Sequence, residues 1–399
     1  MKEDINRLNV NIGVQCLCVK PELVRGIPNY TIQLLKALKN RRSNQYNVSF
    51  FDYQRQRGNE ANVSKNLNGI IAQNDIYECN DMDFRSIMRG IRESDKSVYE
   101  NKTYGEFFSI QPDLYHLPES AWIPQNFEAP VVVTVHDVIS LLPQFESYFQ
   151  EAYRHESRAS LKFAVENKYE IIAISENTKR DVLTLFGGDE EHIHVIPNGF
   201  SSELFYPDKT EDVIKGLGVT KPYILYLGAL DPRKGIRDVV DAFEMIEGSA
   251  DLQLVIAGNL ETQHKDKLSD VMDKIRKNDD IITTGYVTDA EKRVLMSCAE
   301  VFLFPSEYEG FGLPVIEAMA CGTPVITTNI SSLPEAGGDA ALYVNSGDAE
   351  AIVDKVLSVL NDSEYKAQII QKGFEHCKKF SWDKTAEMVE EVYKTAMVR

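Results

Sequence analysis

Residues 306–326 read SEYEGFGLPVIEAMACGTPVI. Two glutamates, Glu309 and Glu317, flank Gly310-Phe311-Gly312 and Leu313-Pro314. Pro314 suits the first turn of a helix, where its missing N–H costs nothing. The preceding Gly310-Phe311-Gly312-Leu313 is then the turn into that helix. Glycine there permits positive φ and close approach of backbone to a ligand, and the free N–H groups of a helix start attract a phosphate. The spacing puts Glu309 before the turn, at a strand end, and Glu317 about one turn into the helix. The carboxylates thus flank a phosphate-sized gap and can hold hydroxyls on either side of a diphosphate: a sugar on one flank, a ribose on the other. Each charge-assisted hydrogen bond of that kind is worth about 1.5–3 kcal/mol.

Around this stretch the chain alternates short apolar runs with helical patterns. Strands are expected at 223–228, 252–258, 281–285, 301–305 and 324–328, with helices at 236–246, 265–275, 290–297 and 314–320. Such alternation implies a parallel sheet covered on both faces. The N-terminal half repeats the theme. A strand around Val10, Ile12 and Val14 leads through a glycine turn at Gly26 into a helix marked by Tyr30, Leu34, Leu35 and Leu38. Further strands are expected at 113–117, 131–137, 170–175 and 194–199, with helices at 147–168 and 176–186. Ser175 and Thr178 look like capping residues of the latter. Residues 54–108 suggest long loops and short helices, and 200–220 a linker. The expected fold class is α/β: two Rossmann-like domains, 1–200 and 201–381, with parallel sheets facing across a cleft. Ligands of open α/β sheets sit at the carboxyl ends of the strands.

Composition narrows the function. At 399 residues two domains are the default, and 43% hydrophobic residues suffice for large cores. The net charge of −18 argues against nucleic acid, which needs a basic face. Lys36, Lys39, Arg41 and Arg42, ending the first helix, offer a weak peripheral membrane contact or simply favour the helix dipole. No apolar run is long enough to span a membrane, and the N-terminus MKEDINRLNVNIGV has no secretory core. The expected location is the cytoplasm, at most peripheral to the inner face of a membrane. Six cysteines at 16, 18, 79, 298, 321 and 377 form no CxxC and read as buried thiols. Neither half has a GxGxxG after its first strand, which counts against a dinucleotide.

A second loop, GALDPRKGIRD at 228–238, places Arg233 and Lys234 between a strand end and a helix. Adjacent guanidinium and ammonium groups suit a diphosphate leaving group.

Glu309-Gly-Phe-Gly-Leu-Pro-Val-Ile-Glu317 resembles the E-x7-E motif of the retaining family-4 glycosyltransferases of GT-B fold. The resemblance runs through VVVTVHD with His136-Asp137, AISENTKRDVL (173–183), VIPNG (195–199), LGALDPRKG (227–235), GYVTD (285–289), CGTPVI (321–326) and FSWDKTAEMVEEVYKTA (380–396). It implies that Glu309 contacts the donor sugar near the reacting centre, and that Phe311, Gly312 and Leu313 offer backbone N–H groups. By the same likeness Glu317 holds the ribose, Arg233 and Lys234 neutralise the diphosphate, and Gly26 lets its loop approach that group. Tyr286 and Val287 would border the base, and His136 would approach the donor sugar. The helix from Trp382 on (382–399) would cross back onto the N-terminal, acceptor-binding domain, leaving 201–381 to bind the nucleotide-sugar. The first loop reads GIPNY, where relatives often carry a basic residue at the position of Asn29.

Several residues keep two readings. His116 and Trp122 line the acceptor side or merely pack a loop, Tyr30 is a further acceptor-side candidate, and Tyr308 and Phe311 are loop or core. The implied reaction moves a sugar from a nucleotide-diphosphate sugar to a hydroxyl of a glycan, lipid-linked or protein acceptor, with retention. No DxD motif stands where a metal would bridge phosphates, so no metal and no cofactor are expected. His136-Asp137 followed by VISLLP resembles bacterial mannosyltransferases that build surface polysaccharide, favouring GDP-mannose over UDP- or dTDP-sugars. Two other classes compete: a glycoside hydrolase using Glu309 and Glu317, and a non-catalytic sugar-nucleotide-binding module.

Overall fold

The computed structural model describes residues 9–15, 26–41, 45–52, 76–78, 111–121, 123, 127–246, 251–259 and 264–399. The chain divides into two compact units, Met1–Gly199 with Trp382–Arg399, and Phe200–Ser381.

In the first unit the elements run β1 (Asn9–Gln15), α1 (Ile27–Asn40), β2 (Gln45–Asp52), β3 (Ile76–Glu78), β4 (Leu114–Leu117), β5 (Val131–Val135), α2 (Glu151–Glu166), β6 (Glu170–Ala173), α3 (Glu176–Phe186) and β7 (Ile193–Val195). Every strand pair is parallel, in the order β3-β2-β1-β4-β5-β6-β7. β4, β5 and β6 are buried along their whole length, which is why they read as near-continuous apolar runs. Ser175 caps α3 by accepting from the Thr178 N–H, as expected from the sequence. The C-terminal helix, Trp382–Val398, packs on α1. Trp382, Ala386, Val389, Val392 and Tyr393 share one apolar cluster with Tyr30, Leu34, Leu35 and Leu38. Arg41 closes the contact polarly, 2.8 Å from Glu390, and Arg399 lies 3.0 Å from the buried Glu170.

The second unit contains α4 (Glu211–Gly216), β8 (Tyr223–Leu227), α5 (Ile236–Ile246), β9 (Gln253–Ala257), α6 (Lys265–Lys277), β10 (Ile281–Gly285), α7 (Asp289–Cys298), β11 (Val301–Phe304), α8 (Leu313–Ala320), β12 (Val325–Thr328), α9 (Leu333–Gly337), β13 (Leu342–Val344), α10 (Ala349–Asn361) and α11 (Ser363–Cys377). Its sheet is parallel, in the order β10-β9-β8-β11-β12-β13. The core pairs the strand interiors with the apolar stripes of α5 and α10, among them Val239, Phe243, Ile352 and Val356.

Both sheets follow the doubly-wound order, in which the first strand is flanked by the second and the fourth. The connection reverses direction between β8 and β11 in the second unit, and between β1 and β4 in the first. At such a switch point the loops leaving the two neighbouring strands diverge and leave a crevice at their carboxyl ends.

Several local expectations change. The 200–220 segment is not linker throughout, since α4 lies inside it. The helical stretch expected at 147–168 is two pieces: a 3₁₀ segment, Pro143–Tyr148, and α2, parted by extended backbone at Phe149 and Gln150. Within 54–108 only β3 is among the described residues. Cys321 and Cys377 are buried free thiols and Cys298 a partly buried one; burial pushes the first two up to about 12. Cys16, Cys18 and Cys79 lie outside the described residues.

Candidate functional site

The two loops singled out by sequence leave adjacent strands. β8 and β11 pair in register, Leu225 opposite Phe302. The loop after β8 and the loop after β11 therefore open at one crevice, although they are far apart in the chain.

After β8 the chain makes a 3₁₀ turn, Pro232–Lys234, capped by Asp231, whose carboxylate accepts from the Arg233 N–H at 3.0 Å. The same carboxylate binds the Arg233 guanidinium through Nε at 3.1 Å and through Nη2. Gly235 ends the turn at φ +68°, where a Cβ would sit 2.2 Å from the Pro305 carbonyl oxygen. The turn is thus pressed against the end of β11, and only glycine fits. The Glu307 N–H completes the tie by donating to the Arg233 carbonyl at 2.8 Å.

After β11 the loop runs through Glu309 to α8. Glu309 is five residues beyond the strand rather than at its end. Its carboxylate meets the Lys234 ammonium at 2.5 Å, joining the two loops. Two serines hold the loop backbone. The Ser331 hydroxyl accepts from the Glu309 N–H at 3.0 Å, and Ser332 donates toward the carbonyls of Glu309 (2.7 Å) and Phe311 (2.9 Å). Tyr308 and Phe311 are loop residues with buried side chains, 7% and 3% exposed, and Phe311 packs edge-on against Phe380. Gly312 adopts φ +113° against Leu333 and Ala336. Pro314 stands in the first turn of α8, as expected. Among the described residues, the N–H groups of Phe311, Gly312 and Leu313 donate to no acceptor within the chain. Neighbouring unbonded amides at a helix start suit an anion.

Glu317 lies inside α8 and is only 9% exposed. Its Oε2 is 2.5 Å from Lys292 of α7, and Lys292 also sits 4.8 Å from the centroid of the Phe205 ring. Of the residues expected to border a base, Tyr286 is exposed and Val287 is buried at 3%. Val287 can therefore face a ligand only through its backbone, because its side chain fills the core.

In the first unit, Gly26 begins α1 at φ +58°, with no atom of the described residues within 4 Å of where a Cβ would be. Tyr30 and His116 are interior residues, 3% and 2% exposed. His116 bonds Tyr393 Oη through Nδ1 at 2.7 Å and Thr134 Oγ1 through Nε2 at 2.8 Å, and Thr134 meets Tyr30 Oη at 3.2 Å. Both side chains are thus occupied inside this unit, Tyr30 at its hydroxyl and His116 at both ring nitrogens. Burial lowers His116 to about 3, so it is neutral at physiological pH. Trp122 lies outside the described residues.

His136 is partly buried after β5, its ring edge-on to Tyr30 at 4.8 Å. Its Nε2 lies 2.9 Å from the Pro118 carbonyl oxygen, which can only accept, so Nε2 carries the proton. Burial lowers its pKa to about 4. His136 is therefore neutral, and its Nδ1 lone pair remains as a hydrogen-bond acceptor. Glu119, in the loop after β4, is a carboxylate that sequence reading passed over; burial pushes it up to about 7.

Sequence reading missed four supports of the site. Asp231 was visible in principle, since Asp before Pro is a helix-start signature. Ser331, Ser332 and Lys292 carry no local signal, because their partners are 21 to 25 residues away.

The chain matches the family model described as "Glycosyl transferases group 1" over residues 208–376 and that of "Glycosyltransferase Family 4" over 24–204. It is 30% identical over 292 residues to the O-antigen chain mannosyltransferase B of Escherichia coli, covering 70% of this chain and 74% of that protein. It is 27% identical over 291 residues to the serotype-specific mannosyltransferase WbdA of Escherichia coli, of whose length this chain spans about a third, 35%. Among solved structures, HepE of Anabaena in complex with UDP-glucose superposes with TM-score 0.70 over 97% of this chain and 100% of that one, at 16% identity. At that identity the likeness speaks for the GT-B fold alone.

Proposed function

The chain belongs to the group 1, family 4 glycosyltransferases, and from that premise we propose that it moves mannose from GDP-mannose to a hydroxyl of a glycan, lipid-linked or protein acceptor, with retention and without a metal. The observation that carries this reading is the meeting of Lys234 and Glu309 beside the unbonded amides of Phe311, Gly312 and Leu313. The cations and the amides match a diphosphate, and the carboxylate matches a sugar hydroxyl.

In this reaction, positive charge grows on the departing sugar as negative charge grows on the diphosphate, and a preorganised site stabilises both. Lys234, Arg233 and the start of α8 serve the diphosphate. Arg233 comes to that task already oriented by Asp231. Glu309 binds a sugar hydroxyl and Glu317 the ribose, while neutral His136 of the first unit keeps Nδ1 as an acceptor for a hydroxyl. Metal independence is supported by the positive charge these residues themselves supply. The mannosyl donor is supported by the named activity of the relatives, and UDP- or dTDP-sugars are its competitors.

A glycoside hydrolase would need Glu309 and Glu317 to act as a pair across one bond. Instead each is matched to its own lysine, Lys234 and Lys292, and the hydrolase reading gives Arg233 and Lys234 no task. A weak peripheral membrane contact through the end of α1 stays part of the proposal: Lys36 and Lys39 are exposed there, while Arg41 is engaged by Glu390 and Arg42 lies outside the described residues. No helix among the described residues is long and apolar enough to cross a membrane.

The test is a thermal-shift panel with GDP, UDP, dTDP and ADP in EDTA, followed by transfer assays with the matching sugar nucleotides. A ligand at about a hundred times its Kd adds about 2.7 kcal/mol. Stabilisation by GDP, then transfer of α-mannose from GDP-α-mannose, supports the proposal. Stabilisation by UDP alone replaces the donor. Stabilisation by none removes the nucleotide-sugar reading.

A further inference from the structure

Lys292 stands outside the loops that the family motif defines, yet it is the partner of Glu317. We propose that Lys292 is a positioning residue for the nucleotide: it holds the Glu317 carboxylate in the orientation that recognises the vicinal hydroxyls of a ribose. The proposal rests on the reading above, in which Glu317 faces the ribose of a nucleoside diphosphate.

Glu317 projects from α8 and Lys292 from α7, and both side chains are 12% exposed. A carboxylate so buried is costly without a matched cation. Lys292 supplies the match on one oxygen only. Oε2 takes the ammonium, and among the described residues Oε1 accepts no hydrogen bond. A vicinal diol presents two O–H donors, and a carboxylate fixed through one oxygen offers the other to them.

The ammonium is itself held in place. It lies over the ring of Phe205, which is 6% exposed, within cation–π range. The segment carrying Phe205 is fastened to α7 by the next residue along the helix. Arg293 donates to the Leu204 carbonyl at 3.2 Å, pairs with Asp208 at 3.0 Å and stacks on Tyr206 at 4.6 Å. Lys292 thus has a carboxylate on one side and a fixed aromatic seat on the other, leaving its long chain little freedom.

The test is isothermal titration of wild type, Lys292→Met, Lys292→Gln and Lys292→Arg with GDP and with 2′,3′-dideoxy-GDP, repeated with the uridine pair. Wild type should prefer the ribose form by about tenfold or more. Lys292→Met should weaken GDP about tenfold and leave the dideoxy form within about twofold, erasing the preference. Lys292→Gln, the more conservative replacement should the methionine variant misfold, should do the same, and Lys292→Arg should restore most of the preference. Equal weakening of both nucleotides, or an unchanged preference in the methionine and glutamine variants, would show a merely structural lysine and overturn the proposal. Wild-type binding without preference overturns the assignment of Glu317 to the ribose. Wild-type binding of neither pair overturns the functional reading itself.

Discussion

Lys234 and Glu309 are 75 residues apart in the chain and in direct contact in the fold. Each neutralises the other across the crevice; in the proposed reaction the cation serves the leaving group and the carboxylate the sugar. Glu309→Ala should abolish sugar transfer while sparing most nucleotide affinity, because the amides of α8 and Arg233 remain. Lys234→Met should lower kcat by about 10²–10³, the usual scale for losing one charge-stabilising group. Single-turnover transfer and nucleotide titration on the same preparations separate the two effects. At this scale pH also enters. His116 and His136 are held near 3 and 4, below the ordinary value of 6.5, so the unfolded chain binds more protons in that window. Their contribution is complete above about pH 6.5 and is lost as pH falls toward 4. Glu119, raised from 4.5 to about 7, has the opposite sign: its contribution is complete below about pH 4.5 and lost as pH rises through 7. Glu119→Gln should therefore steepen the gain in stability from pH 5 to 6.5 by up to about 1.4 kcal/mol per pH unit. The chain has two tryptophans, Trp122 and Trp382, both in the first unit, so urea unfolding followed by their fluorescence reads that unit directly.

Among the elements, the two glycine-hinged turns decide whether the loops of the candidate site can form. Gly312→Ala meets Leu333 and Ala336 side-chain carbons at 3.1 Å and asks an L residue to hold φ +113°. Gly235→Ala meets a backbone oxygen at 2.2 Å, which cannot move without disturbing β11. Gly235→Ala should cost more stability than Gly312→Ala, and both should lose transfer activity; thermal melts with activity on the same samples check the order. The same scale holds the interior hydrogen-bond chain of Tyr393, His116, Thr134 and Tyr30. Removing one hydroxyl by Tyr393→Phe leaves a ring nitrogen of buried His116 without its partner, at a cost of about 1–3 kcal/mol. Loss of less than about 0.5 kcal/mol in urea unfolding would show that this chain is not stabilising. How legible were these elements? α5 was marked by an apolar stripe that begins and ends with it, at Ile236 and Ile246, and α3 by the capping Ser175 at its start. The break before α2 was not, because Phe149 and Gln150 carry no glycine or proline to announce it.

For the whole molecule, the division into units is a matter of where the last helix packs. Trp382, Val389, Val392 and Tyr393 complete the apolar cluster over α1. Burying side chains of that kind is worth about 1.5–3 kcal/mol each, so four together approach the entire stability of a domain, about 5–15 kcal/mol. Deleting 382–399 should therefore unfold the first unit, while the contiguous stretch 200–381 should fold by itself. Circular dichroism melts of the two truncated chains test this; a cooperative melt of 1–199 alone would refute it. Sequence alone determined the alternation of strands and helices, the glycine turns, and the residue types in the two loops of the candidate site, because periodicity, proline and glycine act within a few neighbours. It could not decide which loops share a crevice, since that depends on strand order: β8 is beside β11 only after β9 and β10 have been placed on its other side. Nor could it decide that Lys292 serves Glu317 or that His116 belongs to the interior. Those are contacts between elements, and they exist only once burial has chosen which faces meet.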